Sequence, residues 1–363
     1  MNKGPLYIII CIVLFMVSCQ DDELVPDKGS DIYISASVEE TKDSRAPYTW
    51  TVPSKENEMH AAVWASSTRY NFQHIAEANG QNNADIAMHT KANFQHPNEQ
   101  LLIDIIYPKE GKTVYFVGLY PETLGTGTWW SANADGTTST SVFSGSNDIM
   151  FAPARSGTYG TNVNPHLKFH HLLTWLKIQV VAESEEAKSA WGNIKEMKIK
   201  SLNTVTVEIN HGPEATDGYD RDEHVSFSNP VSMDFFIIGD KSDNPQIFPD
   251  DLDGSICEID GPKYSNSSNL NDFIKEVAYV MCAPVDASES TTDYVISIVF
   301  DKNERKVDIP VNLMKALNTP FTGSTMGYQF TILLKFKIGD NIAVSTKTNK
   351  WKTGGIGYGL IEE

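Results

Sequence analysis

Basic residues are scarce in this 363-residue chain: 29 Lys+Arg stand against 47 Asp+Glu, a formal net charge of −18. A nucleic-acid surface needs clustered Lys and Arg to neutralise phosphates, so no nucleic-acid partner is expected. Attraction to an anionic headgroup surface is disfavoured for the same reason. Cysteine is nearly as rare, limited to Cys11, Cys19, Cys257 and Cys282, too few for a disulfide framework. Catalytic signatures are missing as well: there is no HExxH, no Walker loop, no GxSxG, and no GxGxxG between a strand and a helix. On that basis neither an enzyme nor a cofactor is expected. No heptad and no internal repeat stands out. What is present, 40% hydrophobic and 21% charged residues, makes the chain globular rather than disordered. The length suits two domains with buried cores.

The first residues differ from all the rest. Lys3 is followed by an almost unbroken apolar run from Leu6 to Val17. About a dozen apolar residues fall short of a bilayer span and read as the core of a signal peptide. Ser18 and Cys19 close the run, and Gln20, Asp21, Asp22 and Glu23 follow at once. A small residue directly before Cys19 resembles the bacterial lipobox, with Met16 where Leu is usual. The resemblance implies that residues 1–18 are a lipoprotein signal peptide and that Cys19 is lipidated at the mature N-terminus. The Cys-Gln-Asp-Asp-Glu start also resembles the acidic export signal of surface lipoproteins in the Bacteroidetes. Residues 19–30, acidic and carrying Pro26 and Gly29, suit a tether. The expected location is the outer membrane and cell surface, through a lipid anchor. Once the leader is discounted, Cys257 and Cys282 remain. They are either a disulfide of an oxidising compartment or two small buried hydrophobes.

After the tether the signals are short and β-rich. Ile32, Ile34, Ala36 and Val38 alternate with Tyr33, Ser35, Ser37 and Glu39, the period of a half-buried strand. Leu101–Tyr107 and Thr113–Tyr120, separated by Pro108 to Gly111, predict a hairpin. Gly125–Asn147 reads as loop. Leu167–Val181 reads as one strand, Ala187–Lys200 as a short helix or a helix leading into a strand, and Val205–Ile209 as another strand. Tyr294–Phe300 and Tyr328–Phe336 have the clearest strand character, and Gly339-Asp340-Asn341 turns the chain into Ile342–Thr346. Leu270–Val280 and Pro310–Leu317 are the helical candidates. Many short strands with Gly, Pro and Asn punctuation predict an all-β sandwich architecture.

Chemistry is thin along this scaffold. His166, His170 and His171 form the densest histidine group, but on a strand their spacing does not converge on a metal, so no metal site is assigned. Asp250, Asp251, Asp253, Gly254 and Asp260 have the look of a calcium loop, yet the register that places Gly254 sixth puts Pro249 at the first ligand position. A solvated loop is the better reading. Trp129 and Trp130, within a Gly/Thr/Asn-rich stretch, are the candidate ligand contacts. Flat indole faces stack on sugar rings; the alternative is that one or both tuck into the core.

Several segments in order resemble the fimbrillin family, the Mfa-like and FimA-like lipoprotein pilins of Bacteroidetes. They are the lipobox at Cys19; Ser44-Arg45-Ala46 followed by Trp50; Val114-Tyr-Phe-Val-Gly-Leu-Tyr-Pro121; Asp148-Ile-Met-Phe-Ala152; Leu167-Lys-Phe-His-His171-Leu-Leu-Thr-Trp-Leu176; and Tyr328 to Thr348 with Trp351. The region after Trp50 departs from the family in lacking a Gly-Asp pair. The resemblance implies two tandem transthyretin-like β-sandwich domains with a few short helices, residues 31–166 and 167–363. It implies a structural or adhesive subunit of a type V-like fimbria, assembled by strand exchange. An envelope protease would cut between Arg45 and Ala46, displacing the strand that carries Ile32, Ile34, Ala36 and Val38, and another subunit would fill the groove. Gly354–Glu363, with Ile356, Tyr358 and Leu360 alternating, is the expected donor extension. Partners would be other fimbrial subunits in a homo- or hetero-polymer, the protease, and a glycan or protein on a host or bacterial surface. The alternative is a surface glycan-binding lipoprotein of a polysaccharide-uptake system, which shares the lipobox, the tether and the β plan.

Overall fold

The computed structural model describes residues 34–38, 58–66, 87–95, 100–102, 113–121, 130–133, 136–158, 165–210, 224–237, 246–247, 257–264, 269–287, 293–313, 323–339 and 341–350. The first strands are β1 (Ile34–Val38), β2 (Glu58–Ser66), β3 (Ala87–Gln95), β4 (Gln100–Leu102), β5 (Thr113–Tyr120), β6 (Ser131–Ala132), β7 (Thr138–Val142), β8 (Met150–Thr158) and β9 (His166–His171). There follow β10 (Thr174–Ala182), helix α1 (Glu185–Trp191), β11 (Ile194–Glu208), β12 (Val225–Asp234), β13 (Phe236–Ile237) and β14 (Gln246–Ile247). The chain continues through β15 (Lys275–Cys282), β16 (Asp286–Ala287), β17 (Tyr294–Phe300), β18 (Lys306–Val311), β19 (Gly323–Ser324), β20 (Tyr328–Phe336) and β21 (Ile342–Lys350). The fold is all-β, as the strand-length patterning predicts.

Seven strands, β1 to β5 with β8 and β9, are hydrogen-bonded into one closed ring, in the order β1-β4-β3-β2-β5-β8-β9; β6 and β7, which lie between β5 and β8 in the sequence, are not part of it. Ring closure leaves no free edge, which removes the usual hazard of unpaired backbone groups. The second part is two facing sheets. One has the order β14-β13-β15-β10-β20-β21; the other runs β18-β17-β11-β7-β6, with β12 on the opposite side of β11. β10 and β20 run parallel over eight residue pairs, from Trp175↔Gln329 to Ala182↔Phe336. On β20, Phe330, Ile332, Leu334 and Phe336 are buried on one face, as their alternation requires. Helix α1 is started by Ser184, whose Oγ accepts the Ala187 N–H at 3.2 Å, and ended by Gly192 at φ 77°. Trp191 at its end packs at a tilt against Phe300 and Phe336 between the sheets, with ring centroids 5.1 and 5.3 Å away.

Several local expectations need correction. Leu101 and Leu102, the described part of the first arm of the expected hairpin, do not pair with Thr113–Tyr120: β4 pairs with β3 and β1, while β5 pairs with β2 and β8, and residues 103–107 lie outside the described residues. Ring closure decides these partners, not proximity in sequence. Leu270–Val280 is not a helix. Leu270–Phe273 is a single 3-10 turn and the remainder belongs to β15, a central strand buried from Val277 to Cys282. A strand buried on both faces loses its alternation and mimics a buried helix. Pro310 and Val311 lie in β18, whereas residues 314–317 of that helical candidate lie outside the described residues. Gly125–Asn147 contains β6 and β7, and β7 pairs with β11 over five residues, Val142↔Thr204 to Thr138↔Glu208. Leu167–Val181 is split by Leu172-Leu173 into β9 and β10, whereas Val205–Ile209 continues β11, a strand of 15 residues. The reading of Ala187–Lys200 as a helix leading into a strand holds.

Candidate functional site: the strand that closes the barrel

β1 is five residues long and is the closing strand of the ring. On one side it runs parallel to β9, with Ser35↔His166, Ala36↔Leu167, Ser37↔Lys168 and Val38↔Phe169. On the other it is antiparallel to β4 at Ile34↔Leu101 and Ser35↔Gln100. These two seams are short, and the parallel one lacks the paired geometry of antiparallel ladders. The strand predicted to be displaced is therefore the strand whose loss would open the barrel. Ile34, Ala36 and Val38 lie on β1; Ile32 lies outside the described residues.

Behind this strand the family-like segments converge. Tyr120 of β5 is paired with Met150 of β8, and Met150 in turn with His171 of β9. Just beyond, the Leu172 N–H donates to the Ile149 carbonyl at 2.9 Å. Gly118 faces Phe169 so closely that a Cβ built on it would lie 2.6 Å from the ring Cζ and 3.1 Å from the Ala152 Cβ. That contact explains the glycine in the Val-Gly-Leu-Tyr segment: β9 presses its phenyl ring onto bare backbone. By alternation Val114, Phe116 and Gly118 share the face of β5 turned to Phe169. The opposite face, Val117 and Leu119, joins a buried cluster that includes Ala62, Trp64, Phe151, Trp130, Phe143, Leu172 and Leu173 and runs on into the sandwich core. Burial of both faces is why residues 114–119 read as an unbroken apolar run.

Asp148 and His171 form a buried pair, Asp148 Oδ2 to His171 Nδ1 at 2.6 Å, with side-chain exposures of 5% and 2%. Burial holds the Asp148 carboxyl above the usual carboxylate range, and the His171 ring opposes that shift. Tyr120 lies in the same environment: burial, reinforced by the Asp148 charge, raises its phenol. Sequence reading names these three residues in separate segments and misses their convergence, since nothing in a 23-residue spacing announces a pair. A second polar knot adjoins the first. Thr174 Oγ1 donates to the Thr325 carbonyl at 2.9 Å, the Thr325 hydroxyl accepts from the Val285 N–H at 2.8 Å, and the Tyr294 hydroxyl donates to the Ala283 carbonyl at 3.0 Å. The Leu172–Thr174 connection is thus fixed on both sides.

The remaining predicted residues fare differently. Trp130 is buried, and its indole N–H donates to the Pro121 carbonyl at 3.1 Å, so its ring belongs to the core; Trp129 lies outside the described residues. His170 and His171 are buried and His166 half-buried. Among the described residues no group of three His, Cys, Asp or Glu side chains is gathered around a metal-sized site. Cys257 and Cys282 are both buried free thiols whose pKa burial pushes up to about 12. Of the acidic loop, residues 250–256 lie outside the described residues, as do Cys19, Arg45, Ala46 and Gly354–Glu363. Among the described residues no helix is long and apolar enough to cross a membrane.

Residues 74–220 match a family model described as fimbrillin-like. This stretch is fimbrillin-like. It contains Gly118, Tyr120, Asp148, Phe169 and His171, so the matched fimbrillin-like segment and the converging residues are the same part of the molecule. No curated protein matches the chain. Among solved structures, a fimbrial protein from Bacteroides vulgatus is 14% identical with a TM-score of 0.39, covering 89% of this chain and 100% of its own. A candidate cell adhesion protein from Bacteroides uniformis is 13% identical with a TM-score of 0.44, covering 88% and 98%. A candidate adhesin from Bacteroides thetaiotaomicron is 6% identical with a TM-score of 0.48, covering 91% and 99%.

Proposed function

We propose that this chain is a structural and adhesive subunit of a cell-surface fimbria, exported as a lipoprotein through Cys19 and assembled by strand exchange. The observation that carries the reading is the position of β1. Among the described residues the strand that closes the barrel is the one nearest the N-terminus, and Arg45 follows seven residues after its last residue, Val38. A cut between Arg45 and Ala46 would separate β1, with the lipid, from the rest of the ring. Loss of β1 would leave the backbone groups of β9 and β4 unpaired, a template for β-augmentation by an incoming strand. Any apolar face the incoming strand buries contributes about 25 cal/mol per Å2. In this reading two tandem transthyretin-like units make up the subunit, drawn from the sequence at 31–166 and 167–363, with β9, almost wholly beyond that boundary, completing the first unit's ring. The donor is the 354–363 extension of a neighbour.

N-terminal mass spectrometry of surface-sheared polymers tests the processing step. The expected start is Ala46, and an intact acylated Cys19 within polymers would overturn it. Arg45→Ala is expected to abolish polymerisation while leaving lipidated monomer at the surface; polymers of normal length from that variant would sink cleavage-dependent exchange.

A further inference from the structure

β9 occupies an unusual place in the ring. Its first four residues pair with β1, from Ser35↔His166 to Val38↔Phe169. Toward β8, among the described residues, pairing is confined to Met150↔His171 and Phe151↔His170. Pro153 accounts for the stop: it has no N–H to donate, and β8 is bulged there, the register slipping opposite the Phe116–Gly118 stretch of β5. Further along, a side chain replaces the missing ladder, as Arg155 Nε donates to the His166 carbonyl at 3.3 Å. The intact end of the seam is the end that carries the Asp148–His171 pair and the Leu172 N–H to Ile149 carbonyl bond.

A strand that makes four of its six ladder pairs with β1, among the described residues, is loosened when β1 leaves. An exchange mechanism needs the opposite, because β9 is half of the groove that must receive the replacement. We infer that the Asp148–His171 pair is a latch that keeps β9 registered on β8 while β1 is absent. The inference rests on the reading of β1 as the strand that leaves. A buried hydrogen-bonded pair of titratable groups is a poor way to add stability, since desolvation offsets most of the attraction. It is an effective way to fix one register, because a one-residue slip would leave both groups buried and unmatched. Phe169, pressed on Gly118, fixes the same strand in depth. Tyr120 adds a polar neighbour to Asp148 from β5, so three strands meet at the latch.

Hydrogen–deuterium exchange on the full-length chain tests this, because local openings are read strand by strand. In the native chain the amides of residues 170–172 are expected to exchange at least about tenfold more slowly than those of residues 35–38. Equal rates would mean that β9 leaves with β1, and would overturn the latch. In Asp148→Ala the 170–172 amides are expected to fall into step with β1, while β20 amides stay as protected as before. Continued protection at 170–172 would overturn the role of the pair. Should the alanine chain fail to fold, Asp148→Asn, which keeps an acceptor for the ring N–H, is expected to raise exchange at 170–172 about threefold, and no change there counts against the latch. Polymerisation by Arg45→Ala would remove the exchange reading without touching these rates. Loss of the exchange hierarchy would remove the latch and leave processing at Arg45 standing.

Discussion

The barrel and the paired sheets are built from similar residues but are closed in different ways. In the sheets the central pairings are long: β20 and β21 pair at nine positions and β10 and β20 at eight, although β10 slips against β15 at Ile178/Gln179. In the barrel the last joint is a five-residue strand, fastened by four parallel pairs on one side and two antiparallel pairs on the other. If β1 is exchanged as proposed, the difference teaches that one region serves as a scaffold and the other as a ring with a replaceable segment. Cooperative opening follows the weakest joint, and that joint is placed at the end of the chain that carries the lipobox-like Cys19.

The strongest way to break this comparison is to damage the scaffold. Phe336→Ala removes a fully buried ring from the Trp191 and Phe300 cluster and is expected to cost about 3–5 kcal/mol. Denaturant unfolding measures the loss. The thiol of Cys282 reports where it occurs, being buried and un-ionised until the sheets open. Labelling of Cys282 that tracks loss of β1 in the native chain, rather than the unfolding of the sheets, would erase the distinction between scaffold and ring.

A smaller effect is expected inside the barrel. Gly118→Ala places a methyl 2.6 Å from the Phe169 ring and should destabilise by about 1–3 kcal/mol. The double variant Gly118→Ala with Phe169→Leu should recover part of that loss in thermal unfolding. Strict additivity of the two changes would show that β9 does not press on β5.

The smallest effect belongs to the surface of the sheets, where Lys188 Nζ lies 2.7 Å from Glu258 Oε1 and Glu258 is 62% exposed. The hydrogen bond to Lys188 lowers the Glu258 carboxyl. Its contribution is therefore present above the ordinary glutamate range and is lost as pH falls through the lowered value. With solvent screening, Glu258→Gln should change stability at neutral pH by no more than about 1 kcal/mol and slightly flatten the acid limb. A larger change in a pH-dependent melting series would show that this surface carries weight the burial pattern does not give it.

Much of the architecture is legible in local pattern. The period of two from Ile32 to Val38 marks β1, and Tyr328 to Phe336 marks β20, because a strand with one wet face must alternate. Legibility fails where burial is two-sided. β15 and β5 carry near-continuous apolar runs, and such a run says only that its surroundings are dry. It also fails for β7: a Ser/Thr-rich segment between two barrel strands pairs with β11, its Ser139 and Ser141 buried in the process.

The sequence by itself determined the all-β class, the short-strand spacing, the acidic surface and the identity of the segments that resemble fimbrillin, because these depend on composition and on neighbours within a few residues. Only the tertiary structure decided that Ala36 would pair with Leu167, that Asp148 would meet His171 beside Tyr120, that Trp130 would point inward, and that Gly118 would yield its space to Phe169. Each of those is a contact between strands brought together by ring closure. A local pattern can specify which face of a strand is apolar; which strand it will lie against is settled only when the whole ring buries its core at once.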